Sequence, residues 1–142
     1  MRVAIVESEP AAADLLTFVA QRRGHQPLCV STIERLFERL PFEPTVALLS
    51  FIDLDARSLE AVARLRGAFP GLTILVAAER TSSAPAIAAL KAGAQDIVSS
   101  PYNPFELMLR AETWAAARAT PGVHTTAIRL ADLEVDLDLF VA

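Results

Sequence analysis

Three stretches of the chain, Val3-Ala4-Ile5-Val6, Val46-Ala47-Leu48-Leu49 and, with Thr73 its one polar residue, Leu72 to Val76, are too apolar to turn one face to water. Short runs of this kind read as strands covered on both sides, which is the situation of a parallel sheet shielded by its crossover helices. The segments between them have helical periodicity. Pro10 opens a helix carrying Leu15, Leu16, Val19 and Ala20 on one side, and Gly24 stops it. Ser31 or Thr32 caps a second helix with Ile33, Leu36, Phe37 and Leu40 on one face, after which Pro41 and Pro44 break the chain. A third helix runs from about Ser58 to Ala68 and turns at Pro70-Gly71; a fourth starts at Ser82 or Ser83 with Pro85 and ends at Gly93. Asn103, Pro104 and Glu106 form a capping-box-like start for a last helix that reaches about Arg118. Two weaker strands fall near Pro27 to Val30 and Asp96 to Ser99. Five strands alternating with five helices predict an α/β fold: a five-stranded parallel sheet, right-handed crossovers and three layers.

The length of 142 residues suits one domain with a short extension. Apolar residues at 53% and charged residues at 21% mark a globular chain. A net charge of −4 argues against this segment gripping a phosphate backbone alone, so any DNA contact needs another domain. No apolar stretch approaches the roughly 18 residues of a membrane span, and Glu7 and Glu9 interrupt the N-terminus, which predicts a cytoplasmic protein without membrane contact. The lone Cys29 has no partner for an intramolecular disulfide and reads as a small buried hydrophobe.

In such a sheet the functional crevice lies beyond the carboxyl ends of the strands. That places Glu7 and Ser8 after strand one, Ser50 after strand three, Ala77 after strand four and Ser100-Pro101 after strand five, all converging in space. The segments Val3 to Pro10, Val46 to Ser50, Leu90 to Asp96 and Ser100 to Pro104 resemble the receiver domain of two-component response regulators, over about residues 1 to 118. The resemblance implies a (βα)5 flavodoxin-like receiver fold.

It also implies roles. An active receiver has two acids after strand one that bind magnesium, an acceptor aspartate after strand three, a hydroxyl residue after strand four and a lysine after strand five. Carried over, these positions hold Glu7 and Ser8, Ser50, Ala77 and Ser100, and only Glu7 keeps the required charge. Magnesium is held by carboxylates plus phosphate, so a site reduced to Glu7 binds it weakly. A serine hydroxyl needs a base or metal for activation, whereas an aspartate is already anionic. Losing the lysine together with the acids leaves no stranded charge. The expectation is a phosphorylation-independent receiver with no catalytic residue, metal or cofactor. Ile97 stands at the aromatic switch position, and Leu54 and Ser58 replace the usual loop proline and glycine. Asp53 and Asp55 read as solvated loop acids, displaced too far to substitute for the acceptor.

Other chemistry fares worse. No Gly-x-Ser-x-Gly elbow surrounds Ser50, and His25 and His124 read as exposed loop residues, which argues against a hydrolase. Two histidines and one cysteine lack metal-ligand spacing, and there is no glycine-rich phosphate loop.

The helix from Ala84 to Ala92, strand five and the last helix form the α4-β5-α5 face that many transcription-factor receivers use for homodimerisation. Asp96 and Arg110 resemble two members of that family's charged inter-subunit set, with Lys91 nearby; solvated surface charge is the competing reading. Trp114 suits core packing better than the interface. Beyond residue 118, Ala119-Thr120-Pro121-Gly122 reads as a linker, and Leu133 to Leu139 alternates like a strand with one buried face. Ala131 to Asp136 resembles the opening strand of the winged-helix effector of the OmpR/PhoB family. Residues 1–118 are thus read as receiver-like, and 119–142 as linker and start of an effector that would contact DNA beyond this chain. The alternatives are a free-standing adaptor for a protein partner or small ligand, and a receiver phosphorylated at a non-standard residue.

Overall fold

A computed structural model of the chain describes residues 1–39, 42–80 and 82–118. In chain order the elements are β1 (Arg2–Val6), α1 (Pro10–Arg22), β2 (Gln26–Val30), α2 (Ile33–Glu38), β3 (Val46–Asp53), α3 (Ala56–Ala68), β4 (Thr73–Arg80), α4 (Ser83–Ala92), β5 (Asp96–Ser99) and α5 (Pro104–Arg118). The five strands form one sheet in the order β2-β1-β3-β4-β5, every pair parallel.

Strand alternation divides the apolar runs between two cores. Ala4, Val6, Ala47, Leu49, Ile74 and Val76 meet Leu36, Val62, Leu65 and Ala89 on one side of the sheet. On the other, Val3, Ile5, Val46, Leu48 and Leu75 pack against Leu16, Ala20, Leu107, Met108 and Ala111. The apolar runs are therefore the strands sandwiched between both helix layers. Trp114 joins the second core as a partly buried neighbour.

The helix starts follow cap chemistry. Thr32 Oγ1 accepts from the Arg35 N–H at 3.2 Å, and Asn103 Oδ1 accepts from the N–H groups of Phe105 and Glu106 at 2.9 and 3.2 Å. The reciprocal half of the expected capping box is missing, because the Glu106 carboxylate accepts from Arg110 instead. Asp55, read from sequence as a solvated acid, is the N-cap of α3: its Oδ1 accepts from the Ser58 N–H at 2.9 Å, so α3 starts at Ala56 rather than Ser58.

β3 and β4 also run further than their apolar cores. The ladder continues through Ser50↔Ala77, Phe51↔Ala78 and Asp53↔Arg80, so Ser50 and Ala77 lie within strands and Asp53 ends one. The expectations for Leu40, Pro41, His124 and the 119–142 segment lie outside the described residues.

Candidate functional site

Glu7 follows the buried run of β1 directly, and its N–H donates to the Val30 carbonyl at 3.0 Å, which holds it beside the end of β2. Only 7% of Glu7 is exposed. Ser50 is the register neighbour of Ala77, itself buried. Glu7, Ser50 and Ser100 line one depression of about 300 Å³, between the start of α1 and the β5–α5 connection. Ser8 and Ser50 line another, of about 430 Å³, on the α2–α3 side. The fold thus brings all five sequence-nominated positions together, with Ser50 as the wall between two depressions.

The buried carboxylate of Glu7 is fully engaged. Its Oε1 accepts from the Tyr102 hydroxyl at 2.7 Å, and its Oε2 accepts from the Glu9 N–H at 3.0 Å. Burial, reinforced by the bond to Glu7, pushes the Tyr102 phenol far above its ordinary pKa, so the hydroxyl stays a donor at any physiological pH. Sequence reasoning missed Tyr102. The available signal was a phenol directly after Ser100-Pro101, in the connection expected at the crevice.

The receiver resemblance implies magnesium, and the residues do not fit it. Both Glu7 oxygens have protein donors, and the neighbouring positions Ser8 and Ser50 offer only neutral hydroxyls. Among the described residues no group of three His, Cys, Asp or Glu side chains converges as a metal site would need. The lining of the smaller depression contains Glu7, Glu9 and Glu79 and no lysine or arginine, so a phosphoryl group would meet no positive charge there.

His25 is not the exposed loop residue expected. Its side chain is 11% exposed, with Nε2 2.6 Å from Glu112 Oε2 and Nδ1 3.2 Å from the Met1 amine. Glu112 also accepts from Arg23 Nε and Nη2 at 2.5 and 2.7 Å, which holds the Glu112 carboxyl down at about 2. This network lies at the amino end of β1, the opposite end of the sheet from Ser50, so His25 cannot serve Ser50 as a base.

At the β5 edge, Asp96 Oδ2 accepts from Arg110 Nη1 at 2.9 Å and from Trp114 Nε1 at 3.3 Å. Arg110 also donates to Glu106, at 3.2 and 3.1 Å. Asp96 and Arg110 therefore pair within one copy. Lys91 is exposed at the end of α4, next to Leu90 (47% exposed) and one turn from Ile87 (51% exposed). Cys29 is half-buried against the second core, and burial raises its thiol pKa. No helix among the described residues is long and apolar enough to cross a membrane.

No family model matches the chain. The phosphate regulon transcriptional regulatory protein PhoB of Rhizobium meliloti is 31% identical over 144 residues, an alignment covering 95% of this chain and 60% of PhoB. The DNA-binding response regulator MtrA of Mycolicibacterium smegmatis is 23% identical over 137 residues, covering 96% of this chain and 59% of MtrA. The chain thus spans about 60% of the length of these curated relatives. Among solved structures, a CheY-like receiver domain protein from Methanospirillum hungatei superimposes with a TM-score of 0.76 at 20% identity, over 85% of this chain and 98% of that one. The homologues are OmpR/PhoB-type response regulators, and the structural neighbours are receiver domains.

Proposed function

We propose that the chain is the receiver domain of a response regulator in a two-component system, and that it signals without being phosphorylated, through dimerisation and protein contacts that control a transcription factor. The observation that carries this reading is the state of Glu7: the one acid kept at the crevice is satisfied by Tyr102 and Glu9, beside a neutral Ser50 and Ala77. Ser50 stands where the acceptor would be, Ser8 in place of a metal ligand and Ser100 in place of the lysine. In-line phosphoryl transfer depends on such groups for positioning and charge stabilisation.

The output surface is the face made by α4, β5 and α5. Exposed Ile87 and Leu90 supply apolar area, and Lys91, Asp96 and Arg110 supply a charged rim. The proposal extends to an effector domain of the same protein that contacts DNA, joined to the receiver after residue 118. Support comes from the alignments with PhoB and MtrA, which cover 95 and 96% of this chain and so run past the receiver-like part. That extent favours the transcription-factor reading over a free-standing adaptor.

Sedimentation of the chain with and without acetyl phosphate and magnesium tests the proposal. The dimer fraction is expected to be the same in both, and lower for Arg110→Ala. A severalfold rise in association with the phosphodonor would refute phosphorylation independence. A monomer in every condition would refute the dimer.

A further inference from the structure

Ser50 separates two depressions of opposite character. The one on the α1 side is acidic, and its buried carboxylate is already closed by Tyr102. The one on the α2–α3 side, about 430 Å³, lies across the carboxyl ends of β1 and β3. Those strands run in parallel but leave in opposite directions around the sheet, which is the switch point where open α/β sheets bind ligands. Its volume lies in the range of small-molecule sites.

The chemistry of the lining narrows the ligand. Ser8, Ser31 and Ser50 each present a hydroxyl that, among the described residues, has no protein partner. The other two hydroxyls are committed, Thr32 to the Arg35 N–H and Ser58 to Asp53 and Asp55. Ile33 and Ile52 supply apolar surface, and Ile52 is 62% exposed at the crevice rim.

Anions are disfavoured on two counts. Glu34, Asp53 and Asp55 outnumber Arg57 in the lining, and the Ser58 N–H at the start of α3 already donates to the Asp55 carboxylate, which puts negative charge at that helix end. A cation has no free buried carboxylate to pair with, since Asp55 is engaged with Ser58. What remains is a molecule without charge that offers hydroxyls to one wall and a ring to the other.

We propose that this depression is a binding site for uncharged, hydroxyl-bearing ring compounds, seated with their hydroxyls on Ser8, Ser31 and Ser50 and their ring against Ile33 and Ile52. Occupancy here needs no phosphoryl chemistry, so the proposal stands or falls separately from phosphorylation independence.

The experiment is an amide chemical-shift titration of the isotope-labelled chain with a matched pair of probes: phenyl β-glucoside, which is uncharged, and phenyl β-glucuronide, the same scaffold bearing a carboxylate. The glucoside is expected to shift the amides of Ser8, Ser31 and Ser50 saturably, with Tyr102 and Glu79 of the other depression unmoved. The glucuronide is expected to bind about tenfold more weakly, because its charge is desolvated beside like charge. Ser31→Val, at an exposed loop position that leaves the core untouched, should weaken glucoside binding by about three- to tenfold, the loss of one hydrogen bond. The absence of a saturable shift with the glucoside, an equal response to the glucuronide, or unchanged binding by Ser31→Val would each overturn the proposal.

Discussion

A carboxylate as buried as Glu7 must be met by donors, and it has them in the Tyr102 hydroxyl and the Glu9 N–H. Tyr102→Phe removes one donor and leaves the acid under-satisfied, so the chain should lose about 1–3 kcal/mol of stability, read as a lower urea midpoint. An unchanged midpoint would mean that water replaces the phenol without cost. Glu112 supports a second expectation at this scale. Its pKa falls from 4.5 unfolded to about 2 folded, held down first by the bond from Arg23 and further by His25. A depressed carboxylate contributes stability that is full above the unfolded value and fades as pH drops toward the folded one. Stability should therefore decline between pH 4.5 and 2, by about 1–3 kcal/mol for this partly exposed group. Glu112→Gln should flatten that slope, which pH-dependent denaturation would reveal. The Glu112–His25 contact, 87 positions apart, left no sign in the sequence, and the Tyr102–Glu7 contact, 95 apart, left only the place of the phenol after Ser100-Pro101. Only the folded sheet order brings such pairs together.

At the scale of elements, local chemistry was legible and tertiary extension was not. The caps Thr32 and Asn103, the stop at Gly24 with φ of 81°, and the apolar cores of β1, β3 and β4 follow from side-chain type and spacing. The further pairing of β3 with β4 through Ser50 and Ala77 does not, because the mixed segments Ser50-Phe51-Ile52-Asp53 and Ala77-Ala78-Glu79-Arg80 declare no strand end until the partner is known. Two glycines separate backbone need from mere tolerance. Gly93, after α4, has φ of 133°, and an added Cβ would lie 2.9 Å from Arg66 Cβ, displacing a guanidinium that donates to the Gly93 carbonyl and to Gln95. Gly93→Ala should cost about 2 kcal/mol or more. Gly67, near the exposed end of α3, would meet nothing within 4 Å, and Gly67→Ala should stabilise by about 0.5–1 kcal/mol. Opposite shifts in thermal midpoint check both, and a matching loss in the two variants would contradict the distinction.

For the whole molecule, the parallel sheet and its two helix layers were foreseeable because apolar runs covered on both faces admit few arrangements. The convergence of Glu7, Ser8, Ser50, Ala77 and Ser100 followed from the same topology. The division of the crevice by Ser50 did not, since it depends on how α1 and the helices opposite close over the strand ends. The dimer proposal belongs to this scale too. Ile87 is half exposed on α4, so Ile87→Glu should leave the urea midpoint within about 0.5 kcal/mol while abolishing association in sedimentation. Loss of fold in that variant would mean that Ile87 serves the core. The central claim, a receiver whose crevice no longer accepts phosphate, is tested most directly by intact mass analysis after incubation with acetyl phosphate and magnesium. Wild type and Ser50→Asp should both keep their unmodified mass, because an aspartate at position 50 still lacks a metal site, a lysine, and a hydroxyl at its register neighbour Ala77. A phosphate adduct on the wild-type chain would contradict the account.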